Sequence, residues 1–279
     1  MQTFRAAAVQ FRSTPDKGAN LATVTRLAEQ ARAGGAELIA LPEVAAWRGS
    51  HDREAAEAET VPGPWSDALS VLARRLGVVL AGGSMLERSD DPARPYNTSL
   101  LFGPDGDLLA HYRKIHLFDV DIPGSVTIRE SDTRGAGDEI VCADTPLGRV
   151  GMAVCYDLRF AELFRALGDA GAEVVVMPSS FTKPTGRAHW HTLVRARAIE
   201  NQFFVVAPDQ WGSAPGSRFD DYGHSLIVDP WGVVLADAGA DAEGIAAATL
   251  DAERLGQVRE QLPCLSHRRL PAPPRSSTC

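Results

Sequence analysis

The stretch Arg149-Val150-Gly151-Met152-Ala153-Val154-Cys155-Tyr156-Asp157-Leu158-Arg159-Phe160 decides how the rest of the chain is read. It opens with an apolar run, Val150 to Val154, suited to a buried strand. Beyond Asp157, apolar residues recur at Phe160, Leu163, Phe164 and Leu167, which is helical spacing, and Asp157 is placed to cap that helix. Cys155 therefore falls in a strand-to-helix turn. Free backbone N–H groups and the positive helix end favour a thiolate there and could hold an oxyanion. A cysteine closing an apolar strand also has a plainer use, as a small buried core residue. Catalytic partners elsewhere in the chain decide between the two.

Strands and helices alternate on both sides of this stretch. Phe4–Phe11 reads as a strand, and residues 18–33 as a helix with Leu21, Val24, Leu27, Ala28 and Ala31 on one face. Ala36 to Glu43 is a buried strand stopped by Pro42. A helix from about Trp65 to Leu76 follows, then strands at Val78–Gly82, Asn97–Phe102 and Leu108 to about Lys114. Residues 119–139 read as irregular and polar, and the pattern restarts at Ile140.

The restart is a repeat. Tyr96-Asn97-Thr98-Ser99-Leu100-Leu101-Phe102-Gly103-Pro104-Asp105-Gly106 aligns with Tyr222-Gly223-His224-Ser225-Leu226-Ile227-Val228-Asp229-Pro230-Trp231-Gly232, an offset of 222 − 96 = 126. Gly35–Pro42 aligns with Gly171–Pro178 at 171 − 35 = 136. Two similar halves of strand–helix alternation imply an α/β fold of two packed sheets with helices outside.

Composition narrows the functional classes. With 279 residues, 44% of them hydrophobic, the chain can bury a sizeable core. A net charge of −8 and the lack of any basic block argue against nucleic acid or an anionic membrane surface as partner. No run of signal-peptide type precedes the first strand, and no apolar run approaches membrane-spanning length. Cys142, Cys155, Cys264 and Cys279 lack paired spacing, so neither a zinc site nor a disulfide framework is foreseen. The expectation is a soluble protein of a reducing compartment, the cytoplasm. The Pro- and Ser-rich tail, residues 270–279, is expected to be disordered beyond a domain spanning residues 1–269.

Two residues answer the need for partners. Lys114 is one of only three lysines, with Lys17 and Lys183, and ends a strand in His111-Tyr112-Arg113-Lys114-Ile115-His116-Leu117-Phe118. An ammonium there is a compact point charge suited to an oxyanion, or else a solvated strand end. Glu43 lies just past the apolar strand 36–41, where partial desolvation would push a carboxylate toward a general base, or where it could simply cap a helix. With Cys155, they place a nucleophile, a base and a cation at strand C-terminal ends, where α/β sheets carry their sites.

These residues resemble the nitrilase superfamily of carbon–nitrogen hydrolases, and within it the branch of omega-amidase and deaminated glutathione amidase. The matching stretches are Leu41-Pro42-Glu43, Tyr112 to Phe118 and Val154 to Glu162. Ala188-His189-Trp190, Arg195 to Gln202 and Gly223-His224-Ser225 match as well, so the resemblance runs from about residue 4 to 269. It implies a four-layer α-β-β-α sandwich, a Glu43–Lys114–Cys155 triad and an auxiliary carboxylate at Glu130 that positions substrate or Lys114. It also implies hydrolysis of a small amide to acid and ammonia through a cysteine thioester, with the Tyr156 N–H and Lys114 holding the oxyanion.

Substrate class is less sharply written. The segment Tyr112 to Ser131 is closer to omega-amidase, while Val205 to Trp211 leans to deaminated glutathione amidase. Nitrile or N-carbamoyl hydrolysis and a non-catalytic scaffold are the other readings, the last disfavoured because Glu43, Lys114 and Cys155 are all retained. A carboxylate-bearing amide calls for a cation at the pocket mouth, for which Arg159, Lys183 and Arg187 are the candidates, the last two in a loop Phe181–Arg187. His189 and His191, two apart on a helix, point away from each other and are read as structural. No metal or organic cofactor is expected. The expected partners are the small-molecule amide and further copies of the chain, as a homodimer or higher homo-oligomer.

Overall fold

The computed structural model describes residues 1–123, 126–213 and 219–270. Most of the tail, residues 271–279, thus lies outside the described residues. The first half contains β1 (Phe4–Gln10), α1 (Lys17–Ala33), β2 (Leu38–Ala40), α2 (Glu54–Glu57), α3 (Pro64–Leu76), β3 (Val79–Glu87), β4 (Tyr96–Phe102) and β5 (Leu108–Arg113). A hairpin of β6 (Asp119–Ile122) and β7 (Val126–Arg129) follows. The second half runs β8 (Cys142–Thr145), β9 (Gly148–Met152), α4 (Ala161–Asp169), β10 (Val174–Val176), α5 (Lys183–Asn201) and β11 (Phe204–Ala207). It ends with β12 (Trp211–Ser213), β13 (Asp220–Tyr222), β14 (Leu226–Val228), β15 (Val234–Asp237), β16 (Gly244–Leu250) and α6 (Ala252–Gln261).

Among the described residues the main sheets are two six-stranded ones, ordered β16-β1-β2-β3-β4-β5 and β15-β14-β11-β10-β9-β8. Laid in register they coincide strand for strand. Each has three central parallel strands, then an antiparallel hairpin on one side and an antiparallel strand on the other. The repeat extends to an irregularity. The β4–β5 register slips between Leu101 and Phe102, and the β14–β15 register slips between Ile227 and Val228, at the same offset of 126. The turn glycines Gly106 and Gly232 share a left-handed φ, 84° and 87°. Convergence on a short motif would not reproduce a bulge and a turn together; duplication does.

Alternation along the strands makes the layers. Ala6, Ala8, Leu38, Ala40, Val79 and Ala81 share one buried cluster with Val150, Met152, Val174, Val176, Phe204 and Val206. The intervening Ala7, Val9, Ile39, Leu41 and Leu80 pack with Val24, Leu27, Leu69 and Leu72 of α1 and α3. On the far side, Leu163, Phe164 and Leu167 of α4 and Trp190, Val194 and Ala198 of α5 cover the second sheet. The result is helix, sheet, sheet, helix. No helix among the described residues is long and apolar enough to cross a membrane.

The structure corrects the reading at three places. Residues 119–139 are not wholly irregular. The β6–β7 hairpin hides from periodicity because its strands are short and much of β6 is exposed, so polar cross-strand bonds such as Thr127 to Asp121 hold it. Phe181–Arg187 is not a loop, because α5 begins at Lys183 with proline in its first turn. Nor does Asp157 cap α4. Cys155–Arg159 is a short 3-10 turn, Phe160 is the N-cap of α4, and Asp157 turns inward.

Candidate active site

Glu43, Lys114 and Cys155 come from different strand ends and meet in the interior, 4%, 2% and 7% exposed. Glu43 follows β2, its N–H bonded to the Ser179 carbonyl of the other half and its own carbonyl to the Gln210 amide. The neighbouring Val44 has a left-handed φ of 51°, costly for a β-branched residue, and its N–H is tied to Ser84 Oγ at 2.8 Å. Gly83, at φ 66°, allows β3 this close: a Cβ there would lie 2.2 Å from the Pro42 carbonyl.

Lys114 directly follows β5, its N–H bonded to the Asn97 carbonyl at 2.9 Å. Its ammonium donates to Glu43 Oε1 at 3.0 Å and to Glu130 Oε2 at 2.8 Å. Asn97 Nδ2 donates to the same Glu43 oxygen at 2.8 Å. Burial works against the ammonium, but Glu130 and Glu43 outweigh it, and Lys114 is held charged well above its ordinary range.

Glu130 opens the turn after β7 and is itself clamped. Its Oε2 also accepts the Phe118 N–H, and its Oε1 accepts from Arg134 at 2.6 Å. Arg134 in turn grips Glu54 with bonds of 2.7 and 3.0 Å. Five buried charges thus alternate in sign, from Glu43 through Lys114, Glu130 and Arg134 to Glu54. Burial opposes ionisation of Glu54 and Glu130; nevertheless Arg134 holds Glu54 at about 2, and Lys114 and Arg134 hold Glu130 well below its ordinary range. Glu130 is itself buried and so is not a solvated loop carboxylate.

Cys155 sits at φ 47°, a strained value for a non-glycine residue, with its N–H bonded to the Pro178 carbonyl at 2.9 Å. Asp157 holds the turn from inside. It accepts from the Val154 N–H at 2.8 Å, the Tyr112 hydroxyl at 2.7 Å and the His116 N–H at 3.1 Å, and it pairs with His116 Nδ1 at 2.7 Å. Arg197, buried on α5, adds a bond to the Leu158 carbonyl. The expected thiolate-favouring helix end is not there, since α4 starts at Ala161. Burial and the neighbouring Glu43 carboxylate push the Cys155 thiol well up, against the pull of Lys114 and the Ser180 N–H. The resting arrangement is a neutral thiol facing a carboxylate, fit for proton transfer concerted with attack.

Beside Cys155 lies a narrow pocket lined by Phe118, Tyr156, Arg159, Ser180, Phe181, Thr182 and Thr185. Arg159 lies over the Tyr156 and Phe181 rings at 5.7 and 5.2 Å and bonds His189 Nδ1 at 3.2 Å. Lys183 and Arg187 are not among the lining residues. Lys183, in the first turn of α5, faces Asp220 and Asp241 at 3.9 and 3.8 Å. The far wall is fixed from below, where the Phe181 N–H meets Asp209 Oδ1 and Ser180 Oγ meets Asp221, itself paired with Arg48. Asn97, Arg134, Glu54 and the pocket threonines Thr182 and Thr185 escaped the sequence reading. The i, i+4 spacing of Glu130 and Arg134 was the one signal available.

Similarity to known proteins can be set beside this geometry. The carbon-nitrogen hydrolase family profile matches residues 5–260. Omega-amidase NIT2 of Xenopus tropicalis is 41% identical over 269 residues, covering 96% of this chain and 96% of that protein. Deaminated glutathione amidase of Synechocystis is 41% identical over 271 residues, covering 96% and 99%. Among solved structures, the NitFhit protein of C. elegans superposes with a TM-score of 0.89 at 37% identity, over 96% of this chain and 66% of that longer one.

Proposed function

The chain belongs to the carbon-nitrogen hydrolase family, and from that premise we propose that it is a thiol-dependent amidase acting on short amides that carry a distal carboxylate. One observation carries the reading: the buried Lys114 ammonium bonds both Glu43 and Glu130 while the Cys155 thiol faces Glu43 at the floor of a small cavity.

The steps follow from these positions. Glu43 takes the thiol proton as Cys155 Sγ attacks the amide carbonyl carbon. Negative charge developing on the oxygen meets Lys114 and the Tyr156 N–H, Cys155's own N–H being committed to Pro178. Lys114 acts as fixed charge and not as a base, since its neighbours keep it protonated. The C–N bond breaks, Glu43 gives its proton to the departing nitrogen, and ammonia leaves an acyl thioester. Water then attacks that thioester, losing its proton to Glu43; the C–S bond breaks, the thiol regains the proton, and the acid is released. Glu130, fixed by Arg134, is assigned to holding Lys114 in place. The reaction as written requires no metal or organic cofactor.

Arg159 is the anchor we assign to the substrate carboxylate, with Thr182 and Thr185 as hydroxyl neighbours. One guanidinium and two hydroxyls around a narrow pocket suit a short acyl chain ending in a carboxylate, such as the ω-amide of a five-carbon 2-oxo dicarboxylic acid. Deaminated glutathione is the second reading, favoured by the equal 41% identity to both kinds of relative. Residues 1–269 are taken as one hydrolase domain. Cytoplasmic residence is supported by Cys142, Cys155 and Cys264 being unpaired. A homo-oligomer is supported by the exposed Ile199, Trp231, Val233 and Leu235. The deciding experiment is an ammonia-release panel of ω-amides of 2-oxo acids, neutral aliphatic amides, nitriles and N-carbamoyl compounds. Preference for the carboxylate-bearing amide is expected; preference for a nitrile or N-carbamoyl compound would overturn the reading.

A further inference from the structure

Away from Cys155, three elements bring metal-ligating side chains to one point. His191 lies on α5, His224 in the turn before β14, and Asp237 at the end of β15. His191 Nε2 is 3.1 Å from Asp237 Oδ2, and His224 Nδ1 is 3.0 Å from both carboxylate oxygens. One ligand atom from each residue lies within 4.8 Å of the others. We infer that His191, His224 and Asp237 form a binding site for a divalent transition cation of the zinc type, separate from the amidase centre.

The donor set fits that class. Two neutral imidazoles and one carboxylate suit zinc or its neighbours, whereas magnesium prefers an all-oxygen shell. A tetrahedral zinc with bonds of about 2.1 Å spaces its ligand atoms about 3.4 Å apart. The nitrogen–oxygen separations here need to open by only a few tenths of an ångström. Each imidazole has to carry its proton on the nitrogen facing away from Asp237.

The ligands are braced as metal ligands usually are. Asp237 Oδ1 also accepts the Gly239 N–H at 2.8 Å. His224 is held through its backbone, its N–H bonded to the Gly239 carbonyl and its carbonyl to Trp190 Nε1. The three side chains remain 23% to 36% exposed, so a cation can reach them and keep water in its remaining positions. Tyr222 packs against both imidazoles, and Arg187 acts electrostatically on Tyr222. That arginine opposes the cation without contacting its ligands. Occupancy would fasten α5, whose first turn walls the amide pocket, to the β14–β15 hairpin.

The test is calorimetric titration of the full chain carrying Cys155→Ala, so that the buried thiol cannot compete, with Zn²⁺ and with Mg²⁺. Expected are one Zn²⁺ per chain, no Mg²⁺ binding, and a rise in Tm of roughly 5 °C at a hundredfold excess over Kd. His191→Ala, at a half-buried helix position that alanine suits, should weaken binding by about 100-fold or more. Asp237→Asn, which keeps the shape, should do the same. Cobalt-loaded protein should show a ligand-field spectrum without a thiolate charge-transfer band. Absent Zn²⁺ binding, binding indifferent to both substitutions, or a thiolate band assigning the metal to Cys142 or another cysteine would each overturn the site.

Discussion

Tyr112 donates a buried 2.7 Å hydrogen bond to Asp157, and that bond ties the strand leading to Lys114 to the turn carrying Cys155. Tyr112 stands two residues before Lys114, and Asp157 two residues after Cys155. Burial and the Asp157 charge push the phenol's ionisation well up, so it remains a donor across the working pH range. Tyr112→Phe should therefore cost stability of ~1.5–3 kcal/mol, the loss of a bond to a charged group. Because Lys114 and Cys155 lose their common tether, kcat should fall by about tenfold or more with little change in KM. Urea unfolding and steady-state kinetics check both; an unaltered kcat would show that this bond does not position the site.

Arg134 neutralises two buried carboxylates at once. Arg134→Met should destabilise the fold by about 3–5 kcal/mol at pH 7, since Glu54 keeps only the exposed His51 as a basic partner and Glu130 keeps only Lys114 as a cation. The sign of the pH dependence follows from the direction of the shifts. Glu54 and Glu130 ionise in the fold below their ordinary range, so their contribution is complete above about pH 4.5 and is lost as pH falls toward about 2. The stability gap between wild type and Arg134→Met should accordingly narrow from pH 7 to pH 3. Unfolding curves at the two pH values would show it, and a constant gap would contradict the charge ladder.

The resting thiol is the third prediction. Since burial and Glu43 raise the Cys155 thiol well above its ordinary range, alkylation by iodoacetamide should keep accelerating with pH beyond 9. A plateau below pH 8 would mean a preformed thiolate. Following inactivation rates from pH 6 to 10 separates the two.

Much of this was legible in the chain, for physical reasons that differ by residue. The halves could be read because duplication preserved an eleven-residue register, down to the bulge at Leu101–Phe102 and Ile227–Val228. Glu43 and Cys155 stood out because each closes an apolar strand, and Lys114 because it is one of only three lysines and ends a strand. Asn97 and Arg134 did not, because their role lies in what they touch across 54 residues in one case and 80 in the other. The helical path of residues 183–187 is hidden because Pro184 fits a loop as well as the first turn of a helix. No local pattern reveals that the Asp157 carboxylate reaches Tyr112 and His116 instead of capping a helix.

Arg159 supplies the fourth prediction, on specificity. Arg159→Ala should raise KM for a carboxylate-bearing ω-amide by about tenfold or more, the equivalent of a charge-assisted contact of ~1.5–3 kcal/mol. A neutral aliphatic amide should be hydrolysed much as before. Equal losses on both substrates would assign Arg159 to holding Tyr156 and Phe181 in place and not to the substrate.

The covalent intermediate is the point on which the mechanism rests. Acid-quenching the enzyme within its first turnovers on a 2-oxo acid ω-amide, followed by intact-protein and peptide mass spectrometry, measures it directly. The expected result is the mass of one acyl group on the peptide containing Cys155, absent from Cys155→Ala, which should release no ammonia. Ammonia release by Cys155→Ala at the wild-type rate would contradict it.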